Sequence, residues 1–203
     1  MHKTVSYLAL AALFALGMAT VQPTLALAQT GAEKAKEGSI NDRRHDQQQR
    51  IANGVQSGQM TAAETKRIEG REANVNREIR ADRAANGGRL TAQQRRQINR
   101  RQNNISRSIY RDKHNAAQAH FGNNKVGQRR ENQQDRIANG IRNGSMNAGE
   151  AARAENRQQN INRQIRADRS ANGGRLTPNE RRQINRRQNA ASHQIYRERH
   201  NRR

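Results

Sequence analysis

The sequence predicts an all-α protein that consists of two homologous helical-hairpin units joined by a flexible linker. Three observations support this: an internal repeat, paired helix-capping motifs and a regular spacing of the few large apolar residues. The mean hydropathy of −1.25 and the 2% of aromatic residues are close to those of disordered chains. Because the isoleucines are nevertheless regularly placed, we expect a folded chain with a marginal core.

The repeat determines the organisation of the chain. Asn86 recurs as Asn172, which gives a period of 86 residues, and RRQINRRQN occurs at both 95–103 and 181–189. Such self-similarity is typical of duplicated structural units. The predicted segments are a signal peptide at 1–28, a flexible tail at 29–42, helical unit 1 at 43–115, a linker at 116–128 and helical unit 2 at 129–203.

The first 28 residues have the features of a secretion signal. Lys3 gives a positive start, residues 8–18 form an apolar run, and Ala26-Leu27-Ala28 has the small-x-small pattern of a cleavage site. The run is shorter than the roughly 20 residues that span a bilayer. We therefore expect an exported protein, periplasmic or secreted, that begins at Gln29 and has no transmembrane segment after cleavage.

The stretch ANGGRLT, at 85–91 and 171–177, predicts a turn between two helices. Its glycines tolerate left-handed backbone angles and end the first helix, and its threonine caps the second. A Glu or Gln three residues after the cap completes a capping box, and Pro178 stands where a missing N–H is harmless. The predicted capping pairs are Thr61/Glu64, Thr91/Gln94, Asn147/Glu150 and Thr177/Glu180.

The large apolar residues on both sides of this turn have helical spacing. Each set repeats at seven and then four positions, which at about 100° per residue gives one narrow stripe. Folding the helices antiparallel brings the two stripes together. In unit 2, alanines 154 and 191 replace two of the isoleucines, so we expect it to be less stable than unit 1. The stripes of unit 1 are Ile68/Val75/Ile79 and Ile98/Ile105/Ile109.

The formal net charge of +22 comes mostly from arginine and favours anionic partners. Arginines opposite the isoleucine stripe recur at near helical-turn spacing, where they can neutralise successive phosphates. With Tyr110, Phe121 and Tyr196 as the aromatic residues after the signal, base stacking is not expected. The alternative is a solvated face without a ligand. The candidate polyanion-binding residues are Arg96, Arg100, Arg107, Arg111, Arg182, Arg186 and Arg197.

Neither a metal site, nor a cofactor site, nor an active site is predicted. The chain has no Cys, and the turns resemble half of an EF-hand loop but carry Arg83, Ala85 and Gly87 at ligand positions. His114 and His200 are expected to cap helix ends. The two copies share no nucleophile–base pair, and neighbouring arginines are expected to keep the acids ionised. We therefore expect a protein that is not an enzyme.

The motifs GGRLT, RRQINRRQN and IYRDKHN (IYRERHN in the second copy) resemble those of small exported bacterial proteins with the same duplicated units. The resemblance covers nearly all of the chain after the signal, and it implies an exported repeat protein. Our leading hypothesis is binding to anionic polymers or surfaces, namely nucleic acid, lipopolysaccharide or envelope glycan. The alternative is a structural or stress-associated periplasmic protein with protein partners that dock on the isoleucine stripes.

Overall fold

Helices account for all the regular structure of the described residues, which confirms the all-α prediction. The structure is a computed structural model that describes residues 22–201, with side chains from residue 38, so most of the predicted signal peptide lies outside the described residues. No helix in this part of the chain is long and apolar enough to cross a membrane. The helices are α1 (Gln22–Gln56), α2 (Ala62–Ala85), α3 (Ala92–Lys113), α4 (Lys125–Arg142), α5 (Ala148–Ala171) and α6 (Pro178–His200).

Capping boxes begin α2, α3, α5 and α6 at the four predicted pairs. At α2, for example, the Glu64 amide donates to Thr61 Oγ1 at 3.4 Å, and the Thr61 amide donates to Glu64 Oε2 at 2.9 Å. Between α2 and α3, Gly87 and Gly88 have φ angles of 60° and 86°, a region in which side chains with a Cβ are strained. The predicted caps and glycine turns are therefore confirmed.

Two segments that the sequence predicted to be flexible contain helix. Residues 29–42 belong to α1, and residues 125–128 of the expected linker begin α4. Ala, Glu and Lys between residues 32 and 37 are good helix formers, and farther along α1 Ile40 is fully buried. Its copy Val126 is buried as well, so the structural repeat begins before the sequence repeat at residue 43.

Buried glutamines join the first and third helices of each copy. In the first copy, Gln47 Nε2 donates to the Gln102 carbonyl oxygen at 2.6 Å, and Gln102 Nε2 donates to the Ile40 carbonyl oxygen at 2.9 Å. The second copy repeats both bonds at 2.7 and 3.0 Å through Gln133 and Gln188. Because these bonds satisfy backbone carbonyls inside the protein, they fix the packing of α1 on α3 and of α4 on α6.

The two copies pack against each other through α2 and α5, so they form one compact unit at 37–203 rather than two separate hairpins. Lys66 of α2 donates to Gln159 of α5 at 3.3 Å, and farther along α2 Ala73 lies beside Gly149. Residue numbers thus rise along α2 as they fall along α5, which makes the helices antiparallel. Glu69 and its copy Glu155 interact near the middle of this contact, so an approximate two-fold axis passes between them.

The main hydrophobic core runs through both copies. It contains the predicted stripes of α2 and α3 together with second-copy residues such as Ile137 and Ile195. A smaller cluster at the outer end of the second copy is formed by Val126, Ile161, Ile165, Ile184 and Ala191, with Leu176 packed against it. Ala154 and Ala191 are each 2% exposed, so both replacements occur at core positions as the repeat predicts.

Candidate polyanion interface

All seven arginines that the sequence selected are exposed. They lie on α3 and α6, two helices that do not contact each other, so they form two separate groups. Within these groups Arg107 donates to Asn104 and Arg182 donates to Asn179, each on its own helix. These amide oxygens restrain the guanidinium groups without neutralising their charge.

Arg107 and Arg111 line a groove of about 500 Å³ between α2 and α3, whereas Arg96 and Arg100 are not part of its lining. Arg71 of α2 and Arg101 of α3 complete the set of cations in the groove, and the sequence analysis missed both. The other lining residues are Asn74, Val75, Asn104, Ile105 and Ser108. The groove therefore combines four guanidinium groups, uncharged polar groups and two buried apolar side chains.

The four arginines of this groove have different partners. Arg101 Nη1 lies 3.1 Å from Glu78 Oε2, and Arg111 Nε lies 3.7 Å from Asp112 Oδ1. Arg71 Nη1 instead donates to Ser108 Oγ at 2.9 Å, and Arg107 donates to the Asn104 amide oxygen. Since serine and asparagine are uncharged, the charges of Arg71 and Arg107 are available to an anion.

A second basic groove, of about 490 Å³, lies beside the turn that joins α5 to α6. Its described lining contains Lys125, Arg169, Arg175 and Arg181 but no acidic side chain. Arg182, Arg186 and Arg197 do not line it, so the sequence analysis selected other arginines of this copy than those of the groove. The second copy therefore also has a concentration of positive charge, at a different place from the first.

Like charges also meet near this second groove. Burial, followed by repulsion from Arg169 and Arg166, lowers the pKa of Arg130 to about 10. The Arg130 guanidinium lies 5.3 Å from the centre of the Phe121 ring, within the range of a cation–π contact. An anion bound at this end of the second copy would relieve the repulsion among these arginines.

Three buried glutamates of α2 and α5 contradict the expectation that arginines keep the acids ionised. Glu69, Glu72 and Glu155 are each 0% exposed. Desolvation raises the pKa of Glu72 to about 7 and that of Glu155 to about 8. It also raises the pKa of Glu69 well above its ordinary value, with further repulsion from Glu72 and Glu155. The expectation was wrong for these three because desolvation has the largest effect on each pKa, and for Glu72 it outweighs the nearby charge of Arg44.

The histidines at the ends of α3 and α6 have matching environments. His114 Nδ1 lies 2.6 Å from the Tyr110 carbonyl oxygen, and His200 Nδ1 lies 2.7 Å from that of Tyr196. Each imidazole also stacks on its tyrosine, with ring centres 4.2 and 4.1 Å apart. A donating Nδ1–H satisfies one of the last carbonyls of the helix, which is the capping role that the sequence predicted.

The described side chains thus place arginines in grooves as well as along the exposed faces of α3 and α6. One such groove lies between α2 and α3, and another lies at the turn between α5 and α6. Among the residues with described side chains, no group of three or more His, Asp or Glu has an arrangement that could hold a metal ion. No family model, curated protein or solved structure matches the chain.

Proposed function

We propose that the protein is exported, has no catalytic activity and binds anionic polymers or surfaces through its arginines. The observation that carries this proposal is the α2–α3 groove, where Arg71 and Arg107 hydrogen-bond to uncharged side chains. The net charge of +22 supports the same class of partner, because it attracts polyanions at long range. Phosphate suits these arginines best, since a guanidinium group can bind it with two parallel hydrogen bonds.

The partner is recognised by its charge rather than by its bases. Large aromatic side chains that could stack on bases are scarce, and the exposed Tyr110 and Tyr196 already stack on histidines. Nucleic acid, lipopolysaccharide and envelope glycan all present repeated anionic groups. We expect generic binding to such polymers, with affinity set by the number of anionic groups that the arginines contact.

A salt series tests this proposal. Binding of the purified protein to double-stranded DNA, lipopolysaccharide and peptidoglycan fragments is measured between low and physiological salt. We expect steep weakening with salt, because each phosphate contact releases a counterion. Changing Arg96, Arg100, Arg107 and Arg111 to Gln should weaken binding and reduce the salt slope by up to about 4.

The matched comparison is the second copy with Arg182, Arg186 and Arg197 changed to Gln, which removes charge from α6 alone. If the four changes in α3 leave affinity for every polyanion as it was, the arginine face is not the binding surface. Affinity that persists in high salt would instead favour hydrophobic docking of a protein partner. The fold gives that alternative less support, because the isoleucine stripes on which a partner would dock are buried.

A further inference from the structure

We propose that the α2–α3 groove of the first copy is a binding site for a sugar phosphomonoester. This inference rests on the proposed function, because it assigns a ligand class to part of the same arginine surface. The groove offers two features that a generic polyanion surface does not need: a volume of about 500 Å³ between two helices, and the exposed side-chain amides of Asn74 and Asn104 beside its arginines. A cleft of this size is typical of small-molecule sites.

The charge available in the groove matches one phosphate group. Glu78 partners Arg101, and Asp112 lies near both Arg111 and Arg67. Arg71 and Arg107 are left with uncharged partners, and a phosphomonoester carries about two negative charges at neutral pH. Two guanidinium groups with up to five N–H donors each can neutralise such a group and bond its oxygens.

The rest of the lining suits a sugar ring. Asn74 and Asn104 contribute side-chain amides, which can donate to and accept from ring hydroxyls. Val75 and Ile105 form the floor of the groove but are only 3% and 2% exposed, so a ring would contact mainly the amides. Phosphate and ring would then contact different parts of one groove, which is why we assign a sugar phosphate rather than inorganic phosphate.

The equivalent place in the second copy explains why one copy has this site. Arg157 stands at the position of Arg71, but its Nη1 lies 3.9 Å from Glu198 Oε1. A carboxylate therefore partly neutralises its charge. Glu198 occupies the position of Asp112 and is one methylene longer, which lets it reach toward Arg157 as well as Arg153. Asp112 instead pairs with Arg67 at 2.8 Å, and Arg71 bonds to Ser108.

Two further replacements change the groove of the second copy. His193 stands at the position of Arg107, and Gln194 stands at the position of Ser108. Gln194 Nε2 donates to Glu198 Oε1 at 3.1 Å, which helps to hold this carboxylate near Arg157. Two lining residues of the first groove are also absent, because alanines stand at the positions of Asn104 and Ile105. Five positions of α3 and α6 therefore separate the two copies: 104, 105, 107, 108 and 112 in the first, and 190, 191, 193, 194 and 198 in the second.

Exchanging these residues between the copies tests the site. Isothermal titration of the full protein with glucose 6-phosphate should give one site, with glucose and inorganic phosphate as weaker controls. The triple change Arg107→His, Ser108→Gln and Asp112→Glu should lower this affinity at least about tenfold, because it removes one charge-assisted contact and gives Arg71 a carboxylate partner. The reverse change, Ala190→Asn, His193→Arg, Gln194→Ser and Glu198→Asp, should create a second site.

The exchanged residues occur at equivalent helical positions, so both variants should keep the far-UV circular dichroism of the wild type. If the first triple variant loses helicity, Arg71→Gln replaces it, because this side chain is exposed. Equal affinity of wild type and variant for glucose 6-phosphate would overturn the proposal. The proposal would also be overturned if inorganic phosphate bound as tightly as the sugar phosphate.

Two parallel measurements distinguish the sources of the sugar phosphate and show which of the two proposals fails. Vesicles that carry a phosphorylated diglucosamine headgroup distinguish a lipid source from a free sugar phosphate, and loss of either interaction in the triple variant supports the site. Binding to double-stranded DNA at low salt is measured on the same proteins. DNA binding without sugar phosphate or headgroup binding would overturn the groove assignment alone, and absence of all of them would overturn the proposed function as well.

Discussion

The outer end of each copy is the end that contains its glycine turn, between α2 and α3 in the first copy and between α5 and α6 in the second. These two ends have the same backbone contacts but different side-chain packing. Both have a capping box and two left-handed glycines at the turn, and both are fixed by the same glutamine bonds. In the first copy Ile98 and Ile105 belong to the main core, whereas in the second copy Ile184 and Ala191 form part of a separate small cluster. The comparison teaches that polar contacts to the backbone define the repeated fold, while apolar packing differs from copy to copy.

The largest expected difference concerns the central isoleucine of each outer end. Ile98→Ala should lower the free energy of unfolding by about 4 kcal/mol, and Ile184→Ala by about 2 kcal/mol, the upper and lower parts of the usual range. Both side chains are fully buried, but the smaller cluster borders the partly exposed Leu176 and can relax more. Urea unfolding of the two variants measures this difference. Equal losses would show that the two clusters are equally well packed.

The second prediction uses the buried acid that differs between the copies. Glu72 of the first copy corresponds to Gln158 of the second, so Glu72→Gln installs the second copy's residue. At pH 9 this variant should be more stable than wild type by on the order of 3 kcal/mol, because it no longer buries a charge. At pH 4.5 the two proteins should differ little. Thermal or urea unfolding across this pH range gives the comparison.

The direction of this effect follows from proton binding. The pKa of Glu72 rises from an ordinary 4.5 to about 7 through desolvation, although Arg44 lowers it in part. Between these values the folded state binds more protons than the unfolded state, so stability falls as pH rises through about 7. Glu155→Gln is the control in the second copy, and its effect should continue to about pH 8. If Glu72→Gln leaves the pH profile unchanged, Glu72 is not buried as a neutral acid.

A smaller effect is expected at the glycine turns, where the copies should not differ. Gly88→Ala and Gly174→Ala should each cost about 1–2 kcal/mol, because both residues have φ of 86° and the added methyl group meets no neighbour. Backbone strain alone therefore determines how much the free energy of unfolding falls. Urea unfolding that gives clearly unequal losses would mean that the two turns differ in conformation.

The smallest expected effects concern the caps of α3 and α6. Thr91→Ala should cost about 1 kcal/mol, because it removes the oxygen that accepts the Gln94 amide. Thr177→Ala should cost more at neutral pH, since its partner is Glu180, whose pKa is lowered by hydrogen bonds from the Thr177 backbone and side chain and from Asn172. That excess should disappear as the pH falls and Glu180 is protonated, whereas the Thr91 loss should not change. Melting curves at pH 7 and pH 3 distinguish the two caps.

The caps, turns and isoleucine stripes could be predicted because each is encoded by nearby residues or by a helical period. The α2–α5 contact could not, because the α2 residues at this contact do not form an apolar stripe. Lys66, Glu69 and Ala73 lie there, and such residues give no apolar periodicity. The one available indication was that Glu69 and Glu155 both occur in the repeat, 86 positions apart.

The candidate site was predicted only in part, for a related reason. Helical spacing placed Arg107 on the exposed face of α3, but the groove also needs Arg71 from another helix. Which arginines keep an available charge depends on the reach of individual carboxylates, such as Asp112 against Glu198. Spacing along one helix contains no information on these contacts.

The approximate two-fold axis between Glu69 and Glu155 makes the chain a covalently linked dimer of its own halves. A protein with one such copy would need a second molecule to cover its α2, so its folding would depend on protein concentration. Here the connection between α3 and α4 keeps the second half nearby, which for short flexible linkers corresponds to an effective concentration of about millimolar. Assembly thus becomes a step within one chain, and it proceeds equally well however dilute the protein is.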